Sequence, residues 1–192
     1  MYKLCKTEQS MARQRELEQG LLEAMLNQQY DEISVSDLCD RMNIPRKSFY
    51  RYFSGKQGAL YALLDHTILD YESYSALDNS REIMTHQKEL ESYFAFWKKQ
   101  EKLLHALTKN RLEGYLVMRN VEHAVVDLAC PNRVMIQDSA EAKAHAMTFA
   151  VCGLMAMVLR WYQSGFAMSV KELAEIGESI VTKPLFNPNF TV

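Results

Sequence analysis

Glycine and proline are scarce, 7 and 4 in 192 residues, and stretches of alternating β-branched residues are almost absent. Apolar residues instead recur at three- and four-residue steps along nearly the whole chain, which predicts an all-α protein rather than a sheet. The four cysteines, Cys5, Cys39, Cys130 and Cys152, are scattered and form no C-x-x-C pair. The segment Met1–Lys6 has no apolar run of the kind a secretory leader carries, so a reduced, cytoplasmic protein is expected. The longest apolar run, Ala146–Leu159, is bounded by His145 and Arg160 and falls short of the roughly 20 residues of a membrane span, which predicts a buried helix and no membrane partner. There is no Gly-rich phosphate loop, no G-x-S-x-G and no H-E-x-x-H. The histidines, His66, His86, His105, His123 and His145, make no zinc-spaced cluster with cysteine. Neither an enzyme, a metal site nor a cofactor is therefore expected.

What the chain does have is charge placed unevenly. Its net charge is only −2, yet Arg41, Arg46, Lys47, Arg51 and Lys56 follow one another with no Asp or Glu between them. A basic focus inside a slightly acidic chain is the footprint expected where phosphates are met.

Helical periodicity and cap signals order the segments around that focus. A first helix runs from about Thr7 to Gln28 with a stripe of Leu17, Leu21, Leu22, Met25 and Leu26, and Tyr30 follows it. Ser34-Val35-Ser36-Asp37 reads as a capping box opening a short second helix. Asn43, which tolerates a left-handed backbone, allows a sharp turn, and Ile44-Pro45 opens a third helix extending to about Phe53. Two short helices joined by a tight turn make a helix-turn-helix, whose second helix enters the DNA major groove. Phe49 and Phe53 share one face of that helix, directed inward. Arg46, Lys47, Ser48, Tyr50, Arg51 and Tyr52 are expected on the outer face, donors suited to base edges and phosphate oxygens. Later helices are expected at about 56 to 78, 81 to 98, 100 to 108, 111 to 128, 139 to 164 and 169 to 183, with turns at Cys130-Pro131-Asn132 and Ser164-Gly165, about nine in all.

The stretch Tyr30–Leu64 resembles the DNA-binding domain of the TetR family. It supplies an aromatic closing helix one (Tyr30), serines at the start of helix two (Ser34, Ser36), the Tyr-x-x-Phe of helix three (Tyr50, Phe53) and a lysine opening helix four (Lys56). Gln29 and Asn43 depart from the pattern, standing where glycine is common. The resemblance implies that Tyr50 and Lys56 contact phosphates, with Ser36 and Ser48 as further backbone contacts. Ser34 is included in the DNA-binding set, and Arg46, Lys47 and Arg51 are the expected readers of base edges. It divides the chain into a DNA-binding domain, 1–55, and an all-helical ligand-binding and dimerisation domain, 56–192. Double-stranded operator DNA, a second copy of the chain and a small effector are then the expected partners.

In the second part, Tyr93, Trp97, Tyr115, Met118, Phe149, Cys152 and Met155 are the residues expected to line an effector pocket. Aromatics and methionines at helical spacing are also what a plain core looks like. The pattern Phe149, Gly153, Leu154, Leu159-Arg160-Trp161, Gly165 and Leu173 is similar to the regulatory domain of many TetR-type proteins. The last two helices carry more apolar surface than one subunit readily buries, which predicts pairing between copies. Two other readings fit the sequence: a TetR-type architectural protein that acts through a protein partner without an effector, and an all-α enzyme or adaptor with an incidental basic cluster.

Overall fold

The computed structural model describes residues 1–78, 85–126 and 139–183, and among them the chain is all helical. The helices are α1 (Glu8–Asn27), α2 (Val35–Arg41), α3 (Arg46–Tyr50), α4 (Lys56–Asp78), α5 (His86–Lys99), α6 (Glu101–Lys109), α7 (Glu113–Val126), α8 (Ala140–Gln163) and α9 (Val170–Thr182). A single 3-10 turn, Tyr30–Glu32, follows α1. The expected turn at Cys130-Pro131-Asn132 and the expected start of the fifth helix at Arg81 lie outside the described residues.

Two compact units are present: Met1–Leu69 with Lys102–Cys152, and Asp70–Glu101 with Gly153–Val192. The first unit holds α6 and α7 together with the N-terminal helices.

In the first unit, α1 buries Leu17, Leu21, Leu22 and Met25, as its periodicity predicts. Thr7 caps its start by accepting from the Ser10 amide at 3.3 Å. Ser34 and Asp37 form a reciprocal capping box on α2, with Ser34 Oγ accepting from the Asp37 amide at 3.0 Å. The Ser34 hydroxyl and amide together hold the Asp37 carboxyl below its ordinary value. This cap is complete above the usual carboxylate range and weakens as the pH falls through Asp37's lowered value.

Three of the turns share one design. At the end of α2, the Ile44 amide donates to the Cys39 carbonyl at 2.9 Å and Asn43, with φ 51°, donates to Asp40 at 3.2 Å. After α6, Leu112 donates to Leu107 at 2.9 Å and Arg111, with φ 56°, donates to Thr108 at 3.2 Å. After α8, Phe166 donates to Trp161 at 2.9 Å and Gly165, with φ 67°, donates to Tyr162 at 2.8 Å. Each pairs a six-to-one with a five-to-two hydrogen bond around a left-handed residue, the Schellman arrangement. Its usual apolar contact is present after α8, where the Trp161 and Phe166 rings lie 4.8 Å apart.

The turn after α6 also grips the end of α1. Lys109 Nζ donates to the Leu26 carbonyl at 2.6 Å, Asn110 Nδ2 donates to the Met25 carbonyl at 3.1 Å, and Asn110 Oδ1 accepts from the Tyr30 amide. Carbonyls left open at a helix end thus find partners from another helix.

A buried charge network closes the unit. Asp65 of α4, fully buried, accepts from the Tyr2 hydroxyl at 2.7 Å, from the Arg119 guanidinium and from His123 Nε2 at 3.2 Å. Burial and the Asp65 hydrogen bond push the Tyr2 phenol far above its ordinary value. Glu18, equally buried, faces His66 Nδ1 at 2.9 Å. Buried charges persist only when paired in this way.

In the second unit, α5 buries Leu90, Phe94, Phe96 and Trp97, and α9 buries Leu173 and Ala174. Gly177 allows the close approach, since a Cβ there would lie 3.3 Å from Leu90. The C-terminal half of α8 adds Met155, Val158 and Trp161. The rest of α8 departs from the expectation of a buried helix. By length and composition it could cross a membrane, yet little of its most apolar stretch is buried. Phe149 is 69% exposed, and Ala150, Gly153 and Ala156 are also exposed. The cause lies in its composition: apolar nearly all round, it offers more faces than its neighbours can cover.

Candidate nucleic-acid interface

The helix-turn-helix begins with the left-handed Asn43, which lets α3 leave α2 at a sharp angle, and continues with Pro45 fixed at φ −65° ahead of the first turn. Ile44, Phe49 and Phe53 are buried and fasten α3 to the core. Phe49 and Phe53 lie 5.1 Å apart, centroid to centroid, and burying each side chain contributes about 2 kcal/mol. With those residues turned inward, Arg46, Lys47, Tyr50 and Arg51 are exposed together on five residues of helix and its cap.

Tyr50 is 56% exposed, its ring set edge-on against Phe49 at 5.8 Å, so its hydroxyl stands in solvent on a braced ring. Arg46 donates to Ser36 Oγ, which joins the starts of α2 and α3 into one surface. Arg41 is occupied similarly, donating to Gln28 Oε1 at 2.6 Å. Ser48 is half-buried.

Tyr52 departs from its expected place, and Ser34 and Lys56, standing where expected, have partners within the chain. Tyr52 is not on the outer face: it is 8% exposed and packs at 6.3 Å from Phe53. Tyr52 follows buried Phe49 by three residues, with its amide on the Phe49 carbonyl at 3.0 Å, so the two share the inward face. Ser34 donates its hydroxyl proton to Asp37 Oδ2 at 2.6 Å, so that proton is committed to the cap. Lys56 is half-buried, donating to the carbonyls of Tyr30 and Asp31 and sitting 4.3 Å above the Tyr30 ring. Two of its three N–H bonds are therefore spent on the turn after α1. Tyr30 is half-buried with its hydroxyl turned inside: burial, then the nearby Tyr115, Asp31 and Tyr61, push its phenol up to about 12.

Sequence reasoning missed the segment Met1–Lys3. Tyr2 bridges Phe53 in antiparallel fashion, the Lys3 amide donates to the Tyr52 carbonyl at 2.9 Å, and the Ser54 amide donates to Met1 at 3.1 Å. These partners are about fifty residues apart in sequence, and helical periodicity carries no signal for such a pairing.

The expected effector residues fall in both units. Trp97 and Met155 are fully buried in the second, where Tyr93 packs edge-on 6.3 Å from Trp97. The Trp97 indole nitrogen is buried beside the Tyr93 ring. Tyr115 and Met118 on α7 are exposed, Tyr115 packing 5.7 Å from Tyr61, and Cys152 is half-buried. A shallow cleft at the Asn43 turn is lined by Cys39, Asp40, Asn43, Ile44 and Pro45 and involves none of them.

No protein-family model and no curated protein matches the sequence. Solved structures do. The fatty acid degradation regulator FadR from Bacillus halodurans superposes with a TM-score of 0.60 at 12% identity, covering 95% of this chain and 98% of that one. The dihydroxyacetone kinase operon activator DhaS superposes with a TM-score of 0.53 at 16% identity, covering 89% and 94%. This chain has the fold of those two regulators. A transcriptional regulator of the TetR/AcrR family from Thermobifida fusca aligns at 14% identity with a TM-score of 0.42 over 89% of this chain and 97% of that one. The fold assignment rests on the first two alone. In this all-helical fold, α3 presents an exposed basic face made by Arg46, Lys47 and Arg51.

Proposed function

We propose that the chain is a TetR-type transcriptional repressor of the cytoplasm that binds a palindromic DNA operator as a homodimer and is released by a small, largely apolar effector. The observation that carries the DNA-binding reading is α3: Arg46, Lys47, Tyr50 and Arg51 stand exposed together, on a helix whose other face is locked by Ile44, Phe49 and Phe53. Such a helix presents several long donors at fixed register, which is what major-groove reading needs. The resemblance of Tyr30–Leu64 to the TetR DNA-binding domain supports it, as does a fold shared with proteins described as regulators.

Pairing between copies is supported by the uncovered side of α8. His145, Phe149, Gly153, Ala156 and Arg160 follow one another at four- and three-residue steps, all exposed, and Ile176 and Val181 of α9 are exposed too. A two-fold axis sets such a patch against itself and gives two copies of α3, matching a palindrome. The effector reading draws on the aromatic cluster of the second unit, where Trp97 lies buried with Tyr93 edge-on beside it. The exposure of Tyr115, Met118 and Phe149 favours a second reading, a regulator that works through a protein partner with no small effector.

Fluorescence anisotropy with labelled genomic fragments tests the main reading. A subset of fragments should bind with nanomolar affinity, and Arg51→Ala should weaken that binding while leaving the fold intact by circular dichroism. Uniform weak binding to every fragment, unchanged by Arg51→Ala, would rule it out. A ligand-library thermal-shift screen then separates the two readings: an effector raises the melting temperature and displaces DNA.

A further inference from the structure

We infer that the segment Met1–Lys6 is a second DNA-contacting element, a strap that lays Lys3 beside α3, with Lys6 beyond it, so that both meet phosphates flanking the bases α3 reads. The inference rests on the DNA-binding reading of α3 and adds a binding element to it.

The strap is a built feature. Backbone hydrogen bonds pin it to residues 52–54, where the Lys3 amide meets the Tyr52 carbonyl at 2.9 Å and the Ser54 amide meets the Met1 carbonyl at 3.1 Å. Tyr2 turns inward, its hydroxyl on buried Asp65 at 2.7 Å and its ring edge-on to His66 at 5.8 Å. Gly58 of α4 makes room for it, because a Cβ there would lie 2.4 Å from the Met1 carbonyl oxygen. In extended chain, neighbouring side chains point to opposite sides, so with Tyr2 inward Lys3 points out. Lys3 is indeed exposed, one position from exposed Arg51 across the bridge, and Lys6 is exposed as well. The six residues carry two lysines and no acid, which extends the basic surface of α3 past its C-terminal end.

A lysine that neutralises a phosphate releases counterion, so its loss appears in the salt dependence of binding, with a slope of about 0.9 per contact and roughly fivefold in affinity at physiological salt. The experiment is a salt titration of DNA binding by the full chain. The double variant Lys3→Gln with Lys6→Gln should lower the slope by about 1.8 and weaken specific and non-specific DNA alike. Gly58→Ala, which displaces the strap without changing any charge, should lower the slope in the same direction while helicity by circular dichroism is kept. Lys102→Gln with Lys171→Gln, removing the same charge elsewhere, should leave the slope unchanged. If Lys3→Gln with Lys6→Gln keeps the wild-type slope, or loses no more than Lys102→Gln with Lys171→Gln, the strap inference is overturned and the reading of α3 stands. If the wild-type chain binds no DNA at any salt, both fall.

Discussion

Helices α3 and α8 both leave much of their surface uncovered, but what each leaves uncovered is opposite. Around α3 the open groups are Arg46, Lys47, Tyr50 and Arg51; along α8 they are Phe149, Ala150, Gly153 and Ala156. Exposed charge costs nothing in water, so α3 is stable as it stands and gains only from an anionic partner that exchanges with salt. Exposed apolar surface gains about 25 cal/mol for every Å² removed from water, so α8 is incomplete until something apolar covers it. On the proposed reading, one helix would serve reversible contact and the other lasting contact.

The largest effect is expected from charge placed on α8. Phe149→Glu places a carboxylate on each side of a two-fold interface, and the dimer should weaken by about 4 kcal/mol or more in sedimentation equilibrium. A monomer–dimer balance indifferent to it would mean that α8 is not the pairing surface. Next comes the frame beneath the basic surface. Asp65→Ala leaves Arg119 without its buried carboxylate, which should cost about 3 kcal/mol in urea unfolding. A loss under 1 kcal/mol would show that the network is ornamental to folding.

Smaller effects discriminate within α3. Lys47→Ala should weaken operator binding by about 1 to 3 kcal/mol and relax sequence preference, with dimerisation unchanged. Lys56→Ala should weaken all DNA alike and also lower the melting temperature, because this lysine holds the turn at Tyr30. The smallest pair concerns two turns: Asn43→Ala should destabilise by about 1 kcal/mol, while Arg111→Gly should stabilise by a similar amount, since a side chain in a left-handed conformation carries a strain of that order. Equal responses at both positions would refute the shared Schellman account.

The helices were legible in the sequence because their signals are local. Thr7, Ser34 and Ser169 each cap a helix whose start periodicity also marks, and Asn43 and Gly165 are residue types that favour the left-handed turn they make. Arg111 makes the same turn but is not such a type, so its geometry was silent. The orientation of Tyr52 was misjudged because only Phe49 and Phe53 were set inward, although Tyr52 follows Phe49 by three residues, a spacing that shares a helix face. Lys56 matches a family position, yet its two carbonyl partners belong to residues more than twenty positions away. Asp65 sits within the apolar stripe of α4, and only the arrival of Tyr2, Arg119 and His123 from other segments explains a carboxylate there. What was legible depends on neighbours in sequence, and what was not depends on partners brought together by the fold.

The backbone N–H of Lys3 donates to the Tyr52 carbonyl, next to Tyr2 on Asp65 and to Met1 on Ser54. That makes this single amide a clock. Its hydrogen-exchange rate counts how often the N-terminal segment lifts from the end of α3, and because Arg119 and His123 hold the same carboxylate, a disturbance at α7 changes the count.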